Sequence, residues 1–142
     1  KPAPSLGIPA EYIAAVQGGM NGVMNEPGGT AYRSRIPEPE FAFAGKTGTA
    51  QVRRITAAER ASGVLRNDQL PWELRDHALF VAFAPVVRPR YALSVVIEHG
   101  SSGSGAAAPV ARDILRFAQE RDLLNMPTAY PMASLDPISS ET

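Results

Sequence analysis

The stretch "HALFVAFAPVVRPRYALSVVIE", residues 77–98, decides the fold class of this chain. It contains two nearly continuous apolar runs, "HALFVAFAP" and "RYALSVVIE", joined through the short segment "VVRPR", which suits an antiparallel hairpin. Strands that are apolar on both faces are typical of the middle of a sheet that is covered on each side. The sequence therefore predicts two central antiparallel strands with helices on both faces.

Helical patterns flank this hairpin. Residues 10–25 carry an apolar stripe at helical spacing that we expect to face the core: Ile13, Val16, Met20, Val23 and Met24. A second helix after the hairpin aligns Val110, Ile114 and Phe117 on one face. Residues 53–76, rich in both charges, indicate a long excursion with room for a helical turn. The predicted class is α/β of the α+β type, an antiparallel sheet covered by helices. We expect this sheet to be incomplete in the chain, because three strands and two helices supply few layers for strands that need cover on both faces.

Composition narrows the function. The 142 residues are 44% hydrophobic and 20% charged, as in one soluble globular unit. Fourteen basic residues balance fourteen acidic ones, which argues against a broad basic face, so no nucleic-acid partner is predicted. The chain has no cysteine, which excludes disulfides and thiolate metal sites. No apolar run reaches the ~18–20 residues that a membrane helix needs.

The segment "EFAFAGKTGTAQV", residues 40–52, offers the chemistry, because it places a lysine inside a strand between two glycines. Lys46 supplies a fixed positive charge, and the hydroxyls of Thr47 and Thr49 can bind an anionic carboxylate. Gly48 keeps the strand edge bare, so that a substrate backbone can add as a further strand. The Thr49 N–H can then point at a developing oxyanion. This pattern suits a serine acyl-transferase.

Other interpretations of these segments are weaker. A nucleotide P-loop requires glycine where Glu40 stands and a helix after "GKT", where strand continues. Residues 103–108 imitate a dinucleotide fingerprint, but the returning strand with its acidic residue is missing, so we interpret them as a glycine-serine loop that caps a helix. Lys46 could also be an edge-strand lysine that discourages aggregation. His77 and His99 lack metal-ligand spacing, and we predict no metal.

Three segments of the chain resemble the C-terminal part of the transpeptidase domain of class B penicillin-binding proteins of the cell-elongation type. They are "GKTGTAQV", "RDHALFVAFAP" and "PRYALSVVIEHGSSGSGAAAPVARDIL". The resemblance implies the fold shared by penicillin-binding proteins and serine β-lactamases, with its C-terminal part in residues 1–124 and a polar, flexible tail in 125–142. It further implies a serine D,D-transpeptidase that cross-links peptidoglycan stem peptides, is acylated by β-lactams and needs no cofactor.

By this resemblance Lys46 anchors the substrate carboxylate and bonds the serine of a Ser-x-Asn motif. Thr47, Gly48 and Thr49 then bind substrate, and Thr49 N–H completes the oxyanion hole together with the N–H of the nucleophile.

The family needs three motifs, Ser-x-x-Lys, Ser-x-Asn and Lys-Thr-Gly, and only the third is present. The two lysines are Lys1 and Lys46, and neither follows a serine at the required spacing. We therefore expect the nucleophile on an N-terminal remainder of the same protein. Elongation-machinery membrane proteins are further expected partners, at the periplasmic face of the cytoplasmic membrane. The alternative is an inert binding or scaffolding module derived from the fold.

Overall fold

The computed structural model describes residues 5–121, and its elements follow the predicted order. They are α1 (Ala10–Asn25), β1 (Ala44–Ala50), α2 (Ala57–Ser62), β2 (His77–Ala84), β3 (Tyr91–Ile97) and α3 (Ala108–Glu120). The three strands form an antiparallel sheet in the order β1-β2-β3. This confirms the α+β class. The prediction of a flexible tail at 125–142 falls outside the described residues.

The strand register divides the sheet into two different faces. Phe80 lies between Thr47 and Val95, and Val81 lies between Lys46 and Ser94. The packed face consists of the alternate β2 residues that are buried: Ala78, Phe80, Ala82 and Ala84. The open face carries Leu79, Val81 and Phe83 of β2 with Val96 of β3, and of these Val81 and Val96 remain 48% and 58% exposed.

Both long helices contribute to one core on the packed face. Met24 of α1 and Leu115 of α3 belong to the same buried cluster as Phe80. Within residues 5–121 the long helices therefore cover one face of the sheet, which agrees with the expectation that this part of the fold is incomplete. Within this part of the chain, the apolar residues of the second face have no helix above them.

The buried faces of the helices also differ from the prediction. The apolar α3 residues that the sequence aligns on one face, Val110, Ile114 and Phe117, are exposed, whereas Ala108, Ala111, Leu115 and Ala118 are buried. Small alanines let the helix backbone approach the sheet closely, which explains why this face packs there. In α1, Ile13 and Val16 are also exposed and only the C-terminal end, with Val23 and Met24, enters the core.

The start of β1 is held by contacts with both neighbouring elements. The Asn25 side-chain amide at the end of α1 donates to the Phe43 carbonyl at 2.9 Å. The rings of Phe43 and Phe80 meet edge to face, with centroids 6.3 Å apart. A Cβ added at Gly45 would overlap the Phe80 ring and lie 2.8 Å from the Val81 carbonyl oxygen. Glycine at this position lets the Phe80 ring cover the strand.

We predict that Gly45→Ala lowers the free energy of unfolding by about 1–3 kcal/mol, because overpacking of this size is not absorbed by a buried ring and a backbone carbonyl. Gly18→Ala is the matched control: it lies within α1 with no atom near its added Cβ, so it should raise stability by up to about 1 kcal/mol. Urea unfolding of the protein measures both. Equal stability of Gly45→Ala and the parent would contradict the packing described.

Candidate functional site

Strand β1 offers an unpaired edge within residues 5–121, since it pairs only with β2. Just before the strand, the Ala42 carbonyl accepts from the Val86 N–H and so points toward the β2 side. Backbone groups alternate along a strand, so the N–H and C=O of Lys46 and Gly48 also point to β2. Those of Thr47 and Thr49 therefore point to the open edge.

The ammonium group of Lys46 lies beside this edge. Lys46 is exposed, and its Nζ donates to the Thr47 carbonyl oxygen at 2.7 Å, with the Thr47 hydroxyl at 3.5 Å. The Thr47 hydroxyl is in turn 3.4 Å from that of Thr30. The structure thus brings Lys46, Thr47 and Thr30 together. Thr49, two residues along the same edge, is exposed and makes no contact with this group among the described hydrogen bonds.

Thr30 was not predicted as a site residue. It is a single threonine in the turn after α1, and no motif marks it. Its place beside Thr47 depends on how α1 packs along β1, which the local sequence does not express.

Gly48 is supported from the packed face by the segment after β3. Residues Gly103–Ala107 form one π-helical turn that leads directly into α3, and the Ser102 hydroxyl accepts from the Gly105 N–H at its start. Gly103 is buried, and a Cβ there would lie 2.5 Å from the Leu79 carbonyl oxygen and 2.6 Å from that of Gly48. The segment is therefore helical where a loop was predicted; Ser102 caps this π-helical turn, whereas α3 itself begins without a side-chain cap. Gly103 also lies against the β1–β2 pair.

The two histidines form a structural contact at the ends of β2 and β3. The His99 N–H donates to His77 Nδ1 at 2.9 Å, and His99 Nδ1 lies 3.0 Å from the Arg75 carbonyl oxygen. The Trp72 ring packs on His99 with centroids 4.4 Å apart. Among residues 5–121 no cluster of three or more His, Cys, Asp or Glu side chains is placed to hold a metal ion.

The excursion between β1 and β2 begins with a tightly capped helix. Thr56 and Glu59 form a reciprocal capping box at the start of α2, and Arg53 Nη1 lies 2.5 Å from the Glu59 carboxylate. The hydrogen bond from the Thr56 backbone N–H, followed by that from Arg53, lowers the pKa of Glu59 below its ordinary value. Ionised Glu59 therefore orders the chain directly after β1.

Comparison with known proteins identifies the family of this chain. Residues 1–116 match the family model described as the penicillin binding protein transpeptidase domain, and the chain belongs to that family. Among curated relatives, the peptidoglycan D,D-transpeptidase MrdA of Salmonella typhimurium LT2 is 35% identical over 104 residues, which cover 73% of this chain and 16% of the relative. MrdA of Escherichia coli K12 is 36% identical over 108 residues, 76% of this chain and 16% of the relative.

Solved structures agree with this assignment. The penicillin-binding protein PBP2 of Helicobacter pylori, solved in complex with MreC, superposes with a TM-score of 0.63 at 29% identity over 80% of this chain and 18% of that one. PBP2 of Pseudomonas aeruginosa, in complex with WCK 5153, gives a TM-score of 0.54 at 35% identity over 89% of this chain and 22% of that one. The predicted family and fold are confirmed. The chain spans about a sixth of the length of the curated relatives it matches.

No helix within residues 5–121 has the length and hydropathy needed to cross a membrane.

We predict that α2 loses order as the pH falls below 4.5, the ordinary pKa of a glutamate side chain. A pKa that is lower in the folded state means that ionised Glu59 stabilises the fold above that pH and stops doing so on protonation. Hydrogen exchange of the α2 amides, followed against pH, measures this. Glu59→Gln should remove the acid dependence, and the same dependence in both proteins would contradict the prediction.

Proposed function

We propose that this chain is the part of a peptidoglycan D,D-transpeptidase that supplies the Lys-Thr-Gly strand, while the serine nucleophile lies elsewhere in a longer protein. The observation that carries the proposal is the open edge of β1, where Lys46 and Thr47 meet. Family membership supports it. The chain itself contains neither a Ser-x-x-Lys nor a Ser-x-Asn motif.

Lys46 and the threonines would hold the terminal carboxylate of the stem peptide. The Lys46 ammonium is exposed and lies against Thr47, so it can bind a carboxylate at the edge without moving far. The Thr47 and Thr49 hydroxyls add hydrogen-bond donors to the same charge, and such charge-assisted bonds are about twice as strong as neutral ones. Lys46 would also bond the serine of the Ser-x-Asn motif in the remainder of the protein.

The Thr49 N–H would stabilise the transition state. With the peptide added as a strand at the open edge, its scissile carbonyl lies opposite Thr49, whose N–H points outward. The nucleophilic serine forms a C–O bond to that carbonyl, and the oxyanion is held by this N–H and the nucleophile's own. The C–N bond then breaks as the proton from the serine hydroxyl passes to the leaving amine. An acceptor amine later forms a new C–N bond to the acyl carbon, the C–O bond to the serine breaks, and a proton from the amine returns to the serine oxygen.

The open face favours this proposal over a stand-alone binding module. Val81 and Val96 are large apolar residues, half exposed, on the face to which Lys46 belongs. Apolar patches of this kind mark surfaces where another element packs. We infer that the nucleophile-bearing part of the protein covers this face.

The partners, ligands and location of the whole protein are inferred from its relatives. The H. pylori PBP2 was solved with MreC. By similarity we propose elongation-machinery membrane proteins as partners, peptidoglycan stem peptides and β-lactams as ligands, and the periplasmic face of the cytoplasmic membrane as the location.

We predict that Lys46→Ala slows acylation of the whole protein by labelled penicillin roughly 10- to 100-fold, because hydrogen bonds to charged groups contribute about 1.5–3 kcal/mol. Lys46→Arg should recover part of the rate, since it keeps the charge but not the compact ammonium. Arg112→Gln, which removes a cation from exposed α3, is the control and should leave the rate unchanged. A Lys46→Ala protein acylated at the parent rate would sink the proposed role.

The location of the nucleophile can be tested separately by peptide mapping of the acylated whole protein. We expect the drug mass on a serine outside these 142 residues. A stable adduct on any serine of this chain would show that the assignment of the nucleophile is wrong. If the whole protein gains no drug mass at all, the inert binding module becomes the better explanation.

A further inference from the structure

A groove lies just beyond the C-terminal end of β1. It is open to solvent, has room for about 660 Å³, and is lined by Gln51, Arg54, Ile55, Thr56, Ala57 and Arg60. The lining contains two guanidinium groups and no carboxylate. Its two guanidinium groups make an anion the ligand best suited to this groove, and the nearby Glu59 carboxylate is already bound by Thr56 and Arg53.

The two lining arginines differ from their neighbours in having no acidic partner. Arg53 is paired with Glu59, and Arg66 is paired with Asp68 at 2.5 Å. Arg54 and Arg60 are exposed, and neither makes an ion pair with another residue of the part of the chain that the structure describes. Glu59 fixes α2 through the capping box, so Arg60, on the same short helix, is held near the groove.

The groove lies beyond the end of β1 toward which the upstream part of a peptide bound as proposed above would run. If the terminal carboxylate lies at Lys46 and Thr47 and the scissile carbonyl at Thr49, the upstream residues run antiparallel to β1 toward Gln51. Five positions separate Thr49 from Arg54, at most about 17 Å of extended chain. A few residues of the donor peptide are enough to reach the groove.

We propose that Arg54 and Arg60 position the acyl donor by binding a free carboxylate on a residue upstream of the scissile bond. The inference rests on the proposed function and deepens it by naming the two side chains of this chain that would hold the upstream part of the donor. Guanidinium groups bind carboxylates through two parallel hydrogen bonds, which fixes orientation as well as charge. Both arginines are positioning residues, since neither would touch the reacting atoms.

The test uses the whole protein and two synthetic acyl donors that differ only in the upstream group, a free carboxylate or its carboxamide. The parent protein should prefer the carboxylate donor in kcat/KM. In the double variant Arg54→Gln/Arg60→Gln, this preference should fall about tenfold, mainly through KM. The reason is that the charge-assisted hydrogen bonds to the donor carboxylate are lost. Arg112→Gln, which removes a guanidinium on α3 outside the groove, should leave the preference unchanged.

The outcomes separate this inference from the function on which it rests. An equal loss of kcat/KM with both donors would show that the arginines act on the structure of the protein. No loss with either donor would show that they do not contact the substrate. Either result overturns this inference and leaves the proposed function standing. A parent protein that penicillin does not acylate overturns the proposed function and this inference together. The preference should also shrink at high ionic strength, since the arginines are exposed.

Discussion

The arrangement of the candidate site depends on close packing of neighbouring residues against the glycines of β1. The Phe80 ring covers Gly45, and the π-helical turn at Gly103 lies against the backbone of Gly48. Both contacts come from the packed face, and β2 holds one edge of the strand through its ladder. The packed face and one edge of the strand are thereby fixed, so its outer edge can present Lys46 and Thr47 in a defined arrangement without being held by a partner strand.

Local sequence patterns predicted the elements well, because helical spacing and apolar runs are properties of short segments. The predicted helix at 10–25 has the same bounds as α1, and the predicted runs at 77–85 and 90–98 differ from β2 and β3 by one residue at each altered end. The Lys-Thr-Gly strand was also predicted, since glycine and threonine at its positions suit an edge that another backbone approaches.

Long-range packing could not be predicted in the same way. Val110, Ile114 and Phe117 are more hydrophobic than the alanines of α3, yet the alanines are buried. Small side chains let the helix backbone pack close to the sheet, and this close packing decides which face of α3 is buried. The contact between the Thr30 and Thr47 hydroxyls joins residues 17 positions apart. No short pattern encodes such a distance, so this part of the site emerges only with the fold.

The open face and the open edge of β1 are linked by the strand register. Val81 is paired with Lys46 in the ladder between β1 and β2, so their side chains lie side by side on the same face. Any element that covers Val81 therefore also lies next to the aliphatic part of Lys46. A nucleophile carried on that element reaches the ammonium without crossing the sheet. Burial of the exposed apolar face and completion of the proposed site would then be one event, because the same packing that removes Val81 from water brings the missing groups to Lys46.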